Sequence, residues 1–309
     1  MSRGFSFVEL LVALTIALVV AASAVRLMLP SQALAASRTE TADLQQRLRV
    51  AADTLASHLL AAGAGAYGDA DSPLAEGFPP ILPYRAGGAS PDAPGAFRSD
   101  TVTVFAVPRN GAPPAGTTYW LKTDDASATY QLMVNGSPSA ADVPVVDHVV
   151  ALSFEYWGDP LPPTLRRPLT DATGPWTTYG FKPPATAVPP FAAGENCLFI
   201  NTATLPQPPS PQPRLATLGS AESLIPLPAS LLTDGPWCPN DAAADRWDAD
   251  VLRIRSIAVR LRVQAAIAAL RGPAGTLFAH GGTSHSGLGW VPDLDIRFQV
   301  SPRNLNRAR

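Results

Sequence analysis

The 309-residue sequence has few charged residues and very little lysine. Only 16% of its residues are charged, and the lysines are Lys122 and Lys182, so arginine supplies nearly all of the positive charge. With a net charge of −2 and a pI near 6.1, the chain has no global attraction to nucleic acid or anionic lipid. A hydrophobic content of 46% excludes a disordered chain and provides enough apolar surface for a core.

The sequence also lacks the motifs of the common enzyme classes. It has no phosphate-binding loop, and Ser284 lacks the Gly-x-Ser-x-Gly frame of a hydrolase nucleophile. His280 and His285 do not have the spacing of a zinc site, and the aspartates between residues 241 and 250 do not have that of a calcium loop. A polar loop and turn capping explain these residues better. We therefore expect no enzymatic activity, no metal and no cofactor.

One long stretch near the N-terminus is apolar except for a single acid. Residues 5–25 are 21 residues, which at about 1.5 Å per residue can cross a hydrocarbon core of roughly 30 Å. Glu9 is the only charge among them. A carboxylate at membrane depth costs about 3 kcal/mol, so a counter-charge is expected, and an α-amine is the natural candidate.

Two other kinds of N-terminal segment have similar apolar runs. A plain signal anchor would also carry Arg3 on its cytoplasmic side. A secretory signal would use residues 10–20 as its apolar region and Ala22-Ser23-Ala24 as its cleavage site. Neither alternative accounts for Glu9 or for the helical pattern that continues beyond the apolar run.

The first residues, a short leader ending in Arg3, then Gly4-Phe5 and Glu9-Leu10, resemble the N-terminal signature of type IV pilins and pseudopilins. The resemblance implies that a prepilin peptidase cleaves between Gly4 and Phe5 and methylates the new amine of Phe5. It also implies that Glu9 pairs with the N-terminal amine of a neighbouring subunit during assembly. The implied partners are other pilins or pseudopilins through the N-terminal helix, the prepilin peptidase and an inner-membrane assembly platform.

The helical pattern continues after the apolar run. We expect a leader at residues 1–4, a membrane or filament-core helix at 5–29, an amphipathic continuation at 30–62, and a globular domain at 63–309. Pro30 interrupts the pattern, and Gly63 and Gly65 predict its end. The continuation has one apolar stripe at spacings of three and four residues, formed by Leu44, Leu48, Ala51, Leu55, Leu59 and Ala62.

The globular domain shows alternating strand patterns. They predict a strand at 101–107, a hairpin at 118–122 and 128–134, and further strands at 145–156, 254–264 and 293–301. On the strand at 145–156, alternation places His148 on the core face, and this strand resembles the central strand of the J-type, PulJ/PilW-like branch of pseudopilins and minor pilins. The predicted fold is α+β, with a long N-terminal helix packed on a mainly antiparallel sheet of five or six strands.

A proline-rich insertion interrupts this domain at about residues 158–239. It holds 18 of the 33 prolines, so regular sheet is not expected there. The two cysteines, Cys197 and Cys238, lie in or beside it and beyond the membrane segment, where an oxidising compartment favours a disulfide. Two separate buried thiols are the alternative.

Arginines 253, 255, 260 and 262 lack interleaved aromatic residues, so we do not expect nucleic-acid binding.

These features predict a minor pilin or pseudopilin of a type IV pilus or type II secretion filament, placed near its tip. The expected location is the bacterial inner membrane, crossed once, with the C-terminal domain in the periplasm or on the filament. An alternative is a membrane-anchored or pilus-delivered adhesin whose insertion binds a ligand. A third hypothesis, an anchored hydrolase, has no catalytic constellation to support it.

Overall fold

The computed structural model describes residues 6–64, 80–86, 92, 96–106, 115–124, 129–136, 141–161, 217–232, 249–285, 287 and 289–306. The chain forms two compact units. One comprises Met1–Arg47 and Val263–Leu294, and the other comprises Leu48–Arg262 and Asp295–Arg309. We describe each unit by itself.

The first element is a helix of 55 residues, α1 (Phe7–Ala61), which contributes to both units. It continues through Pro30, where the sequence pattern is interrupted. The hydroxyl groups of Thr15 and Ser23 in its apolar part donate to helix carbonyls three and four residues back, so these hydroxyl protons do not need a hydrogen bond to water. The helix ends just before Gly63, whose φ of +72° is the left-handed conformation that favours glycine after a helix.

Eight strands form one sheet in the described part of the chain. They are β1 (Ile81–Leu82), β2 (Val102–Ala106), β3 (Ala115–Asp124), β4 (Thr129–Asn135), β5 (Val143–Gly158), β6 (Ile225–Leu227), β7 (Ile254–Val263) and β8 (Leu294–Val300). The order is β1-β2-β3-β4-β5-β7-β8, and β6 pairs with β5. Successive pairs from β1 to β6 are antiparallel, and the predicted β3–β4 hairpin is confirmed by the pairing of Asp124 with Thr129.

The core of the second unit confirms the predicted helix stripe. Ala51, Leu55, Leu59 and Ala62 are completely buried, whereas Leu48 is half-buried. Buried residues of the sheet in the same unit include Val102, Tyr119, Leu132, Phe154, Ile257 and Leu261. Each fully buried leucine contributes about 1.5–3 kcal/mol through removal of apolar surface from water. The α+β arrangement of a long helix on a mainly antiparallel sheet is therefore confirmed.

β5 departs from the simple alternation that the sequence predicts. Tyr130 pairs with Val149 and Leu132 with Val146, so β5 carries one extra residue between these pairs. His148 lies in this bulge with a φ of +57°. Val149 is buried and His148 is half-buried, so the prediction that His148 belongs to the core face is wrong. Beyond the bulge, Leu152, Phe154 and Tyr156 are buried, as the alternation predicts.

Two described segments of the predicted insertion, residues 158–161 and 217–232, contact each other in the second unit. The amide of Leu218 donates to the carbonyl of Pro160 at 2.9 Å, and Arg253, which is completely buried, donates to the same carbonyl at 3.0 Å. Arg253 is also ion-paired with Asp250. Strand β6 and the short helix α2 (Ala229–Leu232) occur where the sequence predicted only irregular chain. Cys197 and Cys238 lie outside the described residues.

Candidate functional site

The predicted assembly residue, Glu9, lies in the first turn of α1 and is exposed. One of its carboxylate oxygens, Oε2, accepts a hydrogen bond from the backbone amide of Ser6 at 2.9 Å. The hydroxyl of Ser6 in turn accepts a bond from the amide of Val8 at 3.3 Å. This reciprocal arrangement is a capping box, which satisfies backbone donors that have no partner inside the helix.

The capping role was not part of the sequence prediction, although the signal was present. Ser6-Phe7-Val8-Glu9 has the spacing of a serine followed three residues later by a glutamate, directly before an apolar run. A negative charge in the first helical turn also interacts favourably with the positive end of the helix dipole. Glu9 therefore has an intramolecular hydrogen bond in the single subunit.

The surface around Glu9 is apolar and exposed. The most apolar stretch of α1 is not buried inside the protein, and α1 is long and apolar enough to cross a membrane. Large side chains such as Phe7, Leu14 and Leu18 are more than half exposed. The predicted cleavage and methylation residues, Gly4 and Phe5, lie outside the described residues.

A second polar cluster lies in the first unit, between α1 and the β7–β8 loop (residues 264–293). The carboxylate of Glu40, only 7% exposed, accepts a hydrogen bond from the amide of Ala266 at 2.5 Å. The same oxygen is 3.1 Å from Arg47 Nη2, and Arg47 Nη1 donates to the carbonyl of Gln264 at 3.3 Å. Asp43 pairs with the other side of Arg47 at 2.7 Å and remains half exposed.

Arg271 completes this cluster from within the loop. It donates to the carbonyls of Ala265 and Ala266 at 2.6 and 3.0 Å. Burial lowers the pKa of Arg271, and the nearby charges of Asp293 and Glu40 oppose that shift. The backbone groups of residues 264–266 are therefore held by charged side chains from α1 and from the loop itself. Glu40 is not part of the predicted apolar stripe, and the sequence pattern gives no sign of this contact.

The remaining sequence candidates are not brought together. His280 and His285 are exposed, and the described residues include no group of three side chains that could hold a metal ion. Asp250 is buried against Arg253, while the other aspartates of that acidic cluster lie outside the described residues. Arg260 donates from Nε and Nη2 to a single oxygen, Oδ2, of Asp295 on the neighbouring strand at 2.8 and 2.7 Å. Asp250, Arg253 and Arg260 therefore form ion pairs within the fold.

The helix that carries Glu9 begins inside a segment that matches a known family. The family model described as the prokaryotic N-terminal methylation motif matches residues 1–25. No curated protein matches the chain.

Among solved structures, the chain is similar to a type IV-like pilin from Thermus thermophilus. The two share 14% identity with a TM-score of 0.31, over 85% of this chain and 98% of that one. A likeness this distant carries no argument about what this chain does. The methylation motif overlaps the first part of α1, which is long and apolar enough to cross a membrane, and this combination supports a type IV pilin-like protein with a membrane anchor.

Proposed function

We propose that this chain is a minor pilin or pseudopilin that assembles into a type IV pilus or a type II secretion pseudopilus. It is a structural, non-enzymatic subunit that enters near the filament tip. Before assembly it resides in the bacterial inner membrane, with the domain at residues 63–309 in the periplasm. The resemblance of the strand at 145–156 to the central strand of the J-type branch favours that branch.

The observation that carries this proposal is the position of Glu9. It lies in the first turn of an exposed apolar helix, within the segment that matches the methylation motif. Before assembly a carboxylate there is costly, which favours contact with a positive group that becomes available only in the filament. The cleaved and methylated N-terminus of a neighbouring subunit supplies that group.

The first experiment tests processing. The mature chain should begin at Phe5 and carry a methylated amine, because the prepilin peptidase cleaves after Gly4. Intact-mass measurement of the purified protein gives both the cleavage site and the methyl group. A mature chain beginning at Val25 would instead indicate ordinary signal peptidase and would refute the proposal.

The second experiment tests assembly. Replacing Glu9 by Ala removes a carboxylate from the membrane segment, so insertion becomes easier while incorporation into filaments falls. The measurement is the fraction of the protein in sheared filaments relative to the membrane fraction, at matched expression and with processing confirmed. Incorporation of Glu9→Ala at the wild-type level would show that Glu9 is not an assembly residue.

A further inference from the structure

The β7–β8 loop belongs to the same compact unit as residues up to Arg47 of α1. Two groups of contacts fix its height along the helix. Residues 264–266 are held at Glu40 and Arg47, as described above. At its other end, a Cβ atom placed on Gly289 would lie 3.5 Å from the carbonyl oxygen of Ala33. The loop therefore runs alongside the helix between Glu40 and Ala33.

Of these two positions on α1, Ala33 is the lower one, meaning the one nearer the N-terminus, and it is close to the end of the apolar segment. The run of large apolar side chains that follows Arg26 ends at Leu29, before Pro30, Ser31 and Gln32. Ala33 lies four residues beyond Leu29, which is about 6 Å along a helix, whereas Glu40 lies about 16 Å beyond it. The headgroup region adds roughly 5–7 Å to each side of the hydrocarbon core. If Leu29 marks the edge of that core, Gly289 is at headgroup depth and residues 264–266 are above it.

The lower end of the loop has a surface suited to that depth. From Gly272 to Pro292 the sequence has no aspartate, glutamate, lysine or arginine. Leu277 is 57% exposed, and on α1 the neighbour of Ala33, Leu34, is 50% exposed.

Two aromatic residues hold this end together. The rings of Phe278 and Trp290 meet edge to face with centroids 5.8 Å apart, and Gly289 precedes Trp290. Leu277 therefore adjoins a residue that packs on Trp290, and its carbonyl accepts a hydrogen bond from the amide of Asp293 at 3.0 Å. An uncharged surface with an exposed leucine can enter the headgroup region without the desolvation cost that a charged loop would incur.

We propose that the Leu277–Trp290 end of the β7–β8 loop is a lipid-contacting surface that rests in the headgroup region of a phospholipid bilayer beside α1. This inference rests on the proposed membrane anchoring of α1 and adds a second contact to it. The contact is apolar, so it requires neither anionic lipid nor low salt. This contact sets the depth at which the unassembled subunit lies in the membrane, and it is broken when the subunit leaves the membrane.

Photocrosslinking of the full chain in phosphatidylcholine vesicles tests the proposal. The photoreactive residue p-benzoylphenylalanine replaces Leu277 in one variant and Ile267 in a matched control. Ile267 is 48% exposed and belongs to the same loop, but it lies beside Ala266 at the level of Glu40. Both positions are exposed, so neither substitution disturbs the core.

We expect a several-fold larger yield of lipid adduct at position 277 than at position 267. Equal yields at the two positions, or adducts at 277 mainly to a second copy of the chain, would overturn the inference while leaving the proposed anchor intact. Extraction of the chain by alkaline carbonate would overturn both. The ratio should persist when phosphatidylglycerol or salt is added, and a ratio that depends on anionic lipid would also overturn the inference.

Discussion

Replacing Glu40 by Ala should release the β7–β8 loop from α1. Glu40 is 7% exposed, and its carboxylate accepts the amide of Ala266 at 2.5 Å while pairing with Arg47 at 3.1 Å. The substitution removes both contacts at once. Arg47 keeps its pair with Asp43 and its bond to the carbonyl of Gln264, so the helix itself should remain intact.

The size of the effect follows from these contacts. A hydrogen bond to a charged group contributes about 1.5–3 kcal/mol, and loss of a partly buried ion pair adds to it, so the free energy of loop opening should fall by about 2–4 kcal/mol. Since about 1.4 kcal/mol is a tenfold change, the amides of residues 264–266 should exchange with solvent roughly 30-fold to 1000-fold faster. Hydrogen exchange of the full chain in detergent, read by mass spectrometry, measures this directly.

Asp43→Asn is the matched control, because it removes a different carboxylate from the same arginine. Asp43 is 53% exposed on its side chain, and exposed pairs contribute about 0–1 kcal/mol, so exchange should rise about fivefold at most. Glu40→Gln keeps an acceptor oxygen for Ala266 and should give an intermediate effect. Similar exchange in Glu40→Ala and Asp43→Asn would refute the view that burial makes Glu40 the anchor of the loop.

Three further predictions concern other parts of the chain. Gly158→Ala should destabilise the second unit by about 1–3 kcal/mol in urea unfolding, because its Cβ would lie 2.4 Å from a backbone oxygen, whereas Gly136→Ala meets nothing within 4 Å and should be neutral. Burial lowers the pKa of His58, so this unit should lose stability as pH falls below about 6.5, and His58→Gln should flatten that dependence. Cys197 and Cys238 should be linked, and thiol trapping that finds both free would contradict this.

The elements with regular periodicity could be predicted from the sequence. The stripe from Leu44 to Ala62 repeats every three to four residues, and the β3–β4 hairpin and β7 alternate every two, so burial on one side specifies each of them. Strand β1 has two residues and β6 has three, with a proline inside, so neither carries a period that could be read. Both form because they pair with longer strands, β1 with β2 and β6 with β5.

The missed features of the candidate site depend on contacts between distant residues or on local irregularity. Glu40 has the polarity and spacing of an exposed helical residue, and only its contact with Ala266, 226 residues away, buries it. The bulge at His148 is one extra residue opposite β4, which alternation within β5 does not reveal. A distant partner decided the first outcome, and the register between two strands decided the second.

The capping box gives Glu9 two roles, and the assembly experiment must separate them. Glu9→Ala removes the negative charge and also the acceptor for the amide of Ser6, a loss that costs a helix start about 1 kcal/mol. Glu9→Gln keeps an acceptor oxygen at the same position and removes only the charge. If attraction to a neighbour's amine recruits the subunit, both variants should fail to enter filaments. If the ordered helix start matters instead, Glu9→Gln should assemble and Glu9→Ala should not. Ser6→Ala removes the hydroxyl half of the box while leaving the charge, so on the assembly hypothesis it should enter filaments at nearly the wild-type level.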